Sequence, residues 1–341
     1  MKKFILSFIL ISFNLKISFC QTTEIKNLVF EGAGIRGIAY TGVITELEQQ
    51  KRLDSLQKVG GTSAGAIIAL ALSLGYNAKE ITDIIYNTKF QQFNDGKYIF
   101  IGGLYRMNSK FGWYQGNSFS KWLENLIVKK TGSSDITFKE LHDKGFKDLY
   151  VTATSLNNQK LIVFSKDSYP QMKIKDAVRI SMSVPLYFEA IIIDSLGNII
   201  DKPGKKDMYY DVVVDGGIIG NFPIEIFDSI IIKGNDKYRI ANKYTLGIRI
   251  DSDEQISYDE KSKALAPHEV KNLIDYIEAF YIFAIENLNR NKLTEEDWQR
   301  TISVSSSGIG PKVKKLSESQ KELLINSGIT ATRKYYPIRK N

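Results

Sequence analysis

The amino-acid sequence predicts an α/β fold, a three-layer α/β/α arrangement around a mostly parallel central sheet. Three observations carry that prediction. Short apolar runs alternate with helical segments from residue 27 onward, which favours a parallel sheet covered on both faces. Two of those runs end in glycine turns that lead directly into a helix. The composition is that of a folded globular protein: 341 residues, 43% hydrophobic, 25% charged, with 7 prolines. Collagen-like, coiled-coil and disordered classes are excluded. The length suits one large α/β domain or two smaller ones. No repeat, low-complexity stretch or linker divides the chain, so residues 21–341 are read as one domain.

At the N-terminus, Lys2 and Lys3 precede a ten-residue apolar run over residues 4–13. That run is short of the roughly 18 residues needed to span a bilayer. Small residues at Ser18 and Cys20 fit a signal-peptidase site, so residues 1–20 read as a secretory signal peptide and the mature chain starts at Gln21. The expected destination is the periplasm or the cell exterior. A lipoprotein anchored through Cys20 is the alternative, against which stands the bulky Phe19.

Residues 27–31 (NLVFE) then read as a buried strand, and residues 38–50 as a helix, with apolar residues at Ile38, Val43, Ile44 and Leu47. A short strand ends near Val59, and residues 64–74 form an apolar helix. Residues 94–117, rich in glycine and aromatics, lack helical patterning until Ser118. They suit either a mobile cover over a site or an irregular packed loop. Residues 148–153, 159–164, 211–214 and 245–250 read as further strands. Residues 266–290 read as a helix whose apolar stretch, 279–285, is read as core, with a lipid-facing role as the alternative.

Two residue counts restrict the chemistry. Cys20 is the one cysteine and His142 and His268 are the two histidines, so no intramolecular disulfide can form and a Cys/His zinc site lacks ligands. His142 lies in a polar helical stretch and His268 precedes another helix, so neither has a catalytic setting. The net charge of +8 is spread along the chain. It favours an anionic surface, and without a basic arm no nucleic-acid partner is expected.

Three glycine-containing turns carry the chemistry. Gly61-Thr62-Ser63-Ala64-Gly65 is a Gly-X-Ser-X-Gly turn between a strand and a helix. Such a turn exposes the serine, and the helix beginning at Ala64 directs free N–H groups toward it. Gly32-Ala33-Gly34-Ile35-Arg36-Gly37 also joins a strand to a helix and offers backbone N–H groups to a phosphate or an oxyanion. Gly32, Gly34 and Gly37 match the dinucleotide-binding pattern as well, with Asp54 at about the required distance. That reading leaves residues 61–65 unused and finds no strand ending at Asp54. Asp215-Gly216-Gly217 follows an apolar strand and precedes Asn221-Phe222-Pro223. Alone it is an ordinary turn.

Together these blocks resemble the patatin-like phospholipases. That family has an oxyanion loop of the type Gly-Gly-Gly-X-Arg/Lys-Gly, a Gly-X-Ser-X-Gly nucleophile and an Asp-Gly-Gly/Ala, and residues 32–37, 61–65 and 215–217 follow in its order. Gly112-Trp113-Tyr114-Gln115-Gly116, residues 177–188 with Ser181 and Pro185, and residues 316–335 extend the resemblance over residues 25–336. Ala33 departs from it, standing where glycine is usual; a left-handed backbone there would be strained. The insertion between Phe188 and Asp215 also departs from it and reads as a hairpin, with turn signals at Leu196-Gly197-Asn198 and Pro203-Gly204.

The resemblance implies a serine–aspartate dyad that needs no histidine. Ser63 would be the nucleophile and Asp215 the base bonded to it. Backbone N–H groups of Gly32, Ala33, Gly34 and Ile35, with Ala64, would form the oxyanion hole. Arg36 would bind a lipid phosphate, and Gly37, Gly61, Gly65, Gly216 and Gly217 would support the turns. The implied activity is that of a phospholipase A or lysophospholipase working through an acyl-enzyme. A general carboxylesterase or acyltransferase on non-phospholipid esters is the alternative. The implied partners are a phospholipid or other lipid ester and a transiently touched membrane surface. No cofactor or metal motif is expected, since the acidic cluster Asp251-Ser252-Asp253-Glu254 lacks calcium-ligand spacing.

Overall fold

A computed structural model describes residues 24–337, apart from residues 97–98, 202–208, 260, 263, 268, 274–275, 277–278, 280–282, 284–288, 291 and 311–314. The signal peptide expected over residues 1–20, Pro203-Gly204, His268 and much of the helix expected over residues 266–290 lie outside the described residues.

The strands are β1 (Asn27–Phe30), β2 (Lys58–Gly61), β3 (Gly112–Tyr114), β4 (Asp148–Ser155), β5 (Lys160–Phe164), β6 (Leu186–Phe188), β7 (Ile191–Ile193), β8 (Asp211–Asp215), β9 (Ser229–Lys233), β10 (Asp236–Ile240), β11 (Thr245–Asp251) and β12 (Thr301–Ser305). The main sheet is bonded in the order β12–β11–β1–β2–β4–β8–β7, with β5 also paired to β4. From β12 through β4 the pairs are parallel, while β5, β8 and β7 add antiparallel pairs. Every residue of β1 and β11 is buried. Alternate residues of a strand face opposite sides, so both faces of the sheet are covered, as the sequence predicts.

The helices through the middle of the chain are α1 (Ala39–Gln49), α2 (Ala64–Ser73), α3 (Ala78–Asn87), α4 (Ile99–Lys110), α5 (Asn117–Thr131), α6 (Phe138–Asp143) and α7 (Ile174–Ser181). A 3-10 turn, Gly34–Ile38, leads into α1. Helix α2 (AGAIIALALS) is apolar all round, and all of its residues are buried against β1, β2 and β4.

Helix α4 occupies a stretch expected to be irregular. Its inward face is small and polar: a Cβ on Gly103 would lie 2.6 Å from the Trp113 ring, and Arg106 Nε donates to the Trp113 carbonyl at 2.9 Å. Apolar residues point outward, reversing the usual pattern of an amphipathic helix. The insertion after Phe188 forms the expected antiparallel hairpin, Ile191 facing Val213. Its first turn is closed by Asp194, whose carboxylate accepts from the N–H groups of Leu196 and Asn198 at 2.9 Å each.

One feature of the register positions the candidate site. Val151 pairs with both Gly61 and Phe164, and Ala153 with both Ile162 and Asp215. Strand β5 therefore fills one edge of β4, while β2 and β8 share the other, end to end. Their facing tips are about 7 Å apart along β4.

Candidate active site

Strand β2 ends at Gly61, and two residues later Ser63 turns the chain into α2. Its backbone is left-handed, φ 52 and ψ −122, a conformation that costs a non-glycine residue on the order of 1–3 kcal/mol. Three hydrogen bonds hold it. The Ser63 N–H donates to Ser181 Oγ at 2.9 Å, and the Ser63 carbonyl accepts from Ala66 and Ile67. The flanking glycines are required by space. A Cβ on Gly61 would lie 2.5 Å from the Gly65 carbonyl, and one on Gly65 would lie 2.5 Å from the Phe30 carbonyl.

Strand β8 delivers Asp215 from the opposite direction. Its N–H donates to the Ser183 carbonyl at 2.9 Å, and its Oδ1 accepts from the Gly217 N–H at 2.7 Å. Ser63 and Asp215, 152 positions apart in the chain, converge above Thr152. The Thr62 and Thr152 hydroxyls lie 2.5 Å apart, and a Cβ on Gly216 would strike Thr152 Oγ1. Ser63 is 8% exposed and Asp215 5%. Burial pushes the Asp215 carboxyl up to about 6, against the lowering effects of the Gly217 N–H and the Ser63 hydroxyl. The same hydroxyl lies 3.4 Å from Met182 Sδ.

The turn after β1 completes the site, with one correction. The Gly32 N–H, expected in the oxyanion row, donates to the Asn221 carbonyl at 3.0 Å and is not available. Asn221 Nδ2 donates back to the Gly32 carbonyl at 3.1 Å, so this asparagine clamps the turn from both sides. Gly32 serves instead by close approach: a Cβ there would lie 2.4 Å from Asn221 Oδ1 and 3.3 Å from Ser63 Cβ. Among the described residues, no hydrogen bond occupies the N–H groups of Ala33, Gly34, Ile35 or Ala64. Ala33 is unstrained, with φ −133, and the left-handed residue of the turn is Gly34 at φ 55. A Cβ on Gly37 would touch Ala64 Cβ at 3.0 Å, so the two turns pack directly together. Arg36, half-buried, donates through Nε to the Ala33 carbonyl at 3.4 Å.

Two supporting residues are not among the predicted site residues: Asn289 lies outside every motif, and Arg179 lies inside the 177–188 block. Asn289 accepts from the Asn221 N–H at 2.6 Å and donates to the Gly217 carbonyl at 3.4 Å. Buried Arg179 donates to Ser183 Oγ and to the Gln115 carbonyl, both at 2.6 Å, so it steadies the residue that receives the Asp215 N–H. Asn289 acts across 68 positions, whereas Arg179 reaches Ser183 only 4 positions on, and Gln115 across 64. Other expected residues lie elsewhere. His142 bonds Asp148 at the surface at 2.8 Å, five residues along β4 from Ala153 and so about 17 Å from it. In the acidic cluster, Asp251 is bonded to buried Arg249 at 2.7 and 3.1 Å. Asp54 lies in a turn rather than at a strand end.

A roomy cavity of about 910 Å³ opens beside the starts of β11 and β12, lined by Tyr244, Trp298, Arg300 and Tyr336 among others. Neither Ser63 nor Asp215 lines it, and Arg300 is already paired with Asp228 and Asp297. Size does not make it the site.

Residues 28–228 match the profile described as "Patatin-like phospholipase", more than half of the chain. The chain belongs to the patatin-like phospholipase family. Family membership supports lipid ester hydrolysis as the class of activity. The chain is 26% identical over 313 residues to the uncharacterised protein R571 of Acanthamoeba polyphaga mimivirus, covering 91% of this chain and 93% of that one. It is 34% identical over 209 residues to YqhO of Bacillus subtilis, covering 58% of this chain and 65% of that one. A probable lipid hydrolase, 463L of Invertebrate iridescent virus 6, is 28% identical over 232 residues, 66% of this chain and 69% of that one. Among solved structures, VipD from Legionella pneumophila shares the fold, with a TM-score of 0.55 at 16% identity over 91% of this chain and 66% of that one.

Proposed function

We propose that this patatin-like protein hydrolyses carboxylic esters of phospholipids or lysophospholipids through an acyl-enzyme on Ser63, with Asp215 as its base. The observation that carries the reading is the meeting of a left-handed, held serine with a buried carboxyl near pKa 6, beside amides that lack partners. A carboxylate at about 6 is ionised at neutral pH yet basic enough to take a proton in the transition state.

In the first step the Ser63 hydroxyl gives its proton to Asp215, on which it already acts, as Oγ bonds to the ester carbonyl carbon. The oxyanion that forms faces the N–H groups of Ala33, Gly34, Ile35 and Ala64, and the positive end of α2 adds to that field. Collapse expels the lysolipid alcohol, which takes the proton held by Asp215. Water, deprotonated by Asp215, then attacks the acyl-Ser63 ester, and collapse releases the fatty acid as the proton on Asp215 returns to Ser63 Oγ. Arg36, at the lip of the same turn, supplies a permanent charge for the phosphate of the lipid.

Lipid hydrolysis followed by mass spectrometry tests this. Wild type is expected to release free fatty acid and lysolipid, and Ser63→Ala and Asp215→Asn are each expected to lose at least about 10⁴-fold in rate. Unchanged turnover in both variants would refute the dyad. Release of fatty acid from simple esters but not from phospholipids would refute the substrate class.

A further inference from the structure

Outside the dyad, Lys51, Phe111, Gln159, Leu186 and Ser307 are left-handed, and two of these, Phe111 and Leu186, are large and apolar. Phe111 (φ 61) and Leu186 (φ 67) both adopt the left-handed conformation, in which a bulky residue is an outlier. Both hold the side chain in solvent, 52% and 63% exposed. Gly112 is the register partner of Leu186 in the β3–β6 pair, so the two strained residues lie next to each other.

The surface they start is continuous with the candidate active site. Val184, Pro185, Leu186 and Tyr187 form an exposed, uncharged run that begins two residues after Met182, the neighbour of the Ser63 hydroxyl. Helix α4 widens it, because Ile101, Leu104 and Tyr105, at i, i+3 and i+4, are 79%, 57% and 72% exposed. Gly103 and Arg106 fix the helix by its other face. Strain stored at an exposed position and leading to a reactive centre signals use rather than folding. Leucine and phenylalanine for the acyl layer, with tyrosines for the headgroup layer, match the chemistry of a bilayer surface.

We propose that this rim, centred on Phe111 and Leu186, docks on a phospholipid bilayer and so presents Ser63 to an ester held there. The proposal rests on the reading of Ser63 as a lipid-ester nucleophile, but its test is separable from that reading. Partition of the full chain into pure phosphatidylcholine vesicles is measured by co-sedimentation in a Ser63→Ala background, which leaves the vesicles intact. Phe111→Gly with Leu186→Gly removes both side chains and relieves both backbones, so its Tm is expected to hold or rise. Partition is expected to fall at least about tenfold. With Ser63 present, the ratio of vesicle hydrolysis to hydrolysis of a soluble short-chain ester falls in the same direction. Leu104→Gln with Tyr105→Gln, on the exposed face of α4, gives a smaller fall of about threefold. Unchanged partition in both double variants overturns the proposal, as does a rim whose removal only splits a dimer of this chain. Turnover that survives Ser63→Ala sinks the nucleophile instead, whatever the partition result.

Discussion

Both ends of the central sheet expose apolar side chains, yet they are built differently. At the leading ends of the parallel strands, the β9–β10 hairpin holds Ile230 and Ile232 at 67% and 66% exposure. Its ladder is unbroken from Asp236–Lys233 to Ile240–Ser229, and its one left-handed residue is a glycine, Gly234. At the trailing ends, where Ser63 and residues 32–37 lie, non-glycine residues are left-handed, amides lack partners and a carboxyl is buried. Exposure alone therefore does not mark function. Strain alone does not mark it either, since exposed Lys51 and Gln159 are left-handed in polar turns; the trailing ends differ in joining large apolar left-handed residues to the surface beside Ser63.

Predictions that break or sharpen this contrast run from large to small. Gly65→Ala forces a methyl group to within 2.5 Å of the Phe30 carbonyl and 2.6 Å of the Glu31 carbonyl. It is expected to cost about 3 kcal/mol in a denaturant titration, together with activity. A wild-type midpoint would show that the elbow is not tightly built.

Asp215→Asn should move stability the other way. A carboxyl near 6 in the fold and 3.8 in the unfolded chain is protonated more readily when folded, so stability falls as pH rises from about 4 to about 6 and stays low above. Replacing the charge is expected to raise stability at pH 8 by on the order of 3 kcal/mol, a gain that fades toward pH 4. Loss of stability at pH 8 would contradict the buried-charge reading.

On the proposed mechanism the same carboxyl sets the acid limb of activity. Hydrolysis is expected to fall about tenfold per pH unit below about 6, where Asp215 takes up its proton. A limb near pH 4 would mean a solvated carboxylate. The smallest effect belongs to the hairpin: Ile231→Thr is expected to change stability by less than about 0.5 kcal/mol and vesicle partition not at all. A fall in partition there would erase the contrast between the two ends.

Much of this was legible in the sequence, and the reason is local. The apolar runs of residues 28–30 and of Val212–Val214 before Asp215 reveal strand tips because burial on both faces demands continuous apolar residues, while the tip near Val59 is marked by the glycines that follow it. The turns were legible because glycine is needed where backbones touch, as at Gly61 and Gly65. Helix α4 was not, since its inward face is built from Gly103 and Arg106 while its apolar residues point out. The occupied Gly32 N–H was hidden because its acceptor, Asn221, lies 189 positions away. Asn289 was hidden for the same reason, and so was the bond of Arg179 to Gln115, 64 positions away.

The pairing of Ser63 with Asp215 is tested most directly by active-site labelling. The intact protein is treated with a lipid-like fluorophosphonate, the modified residue is mapped by mass spectrometry, and the labelling rate is followed against pH. One adduct on Ser63 is expected, forming with a rate that rises through about pH 6 and drops at least about 10³-fold in Asp215→Asn. An adduct on any other residue, or undiminished labelling of Ser63 in Asp215→Asn, would contradict it.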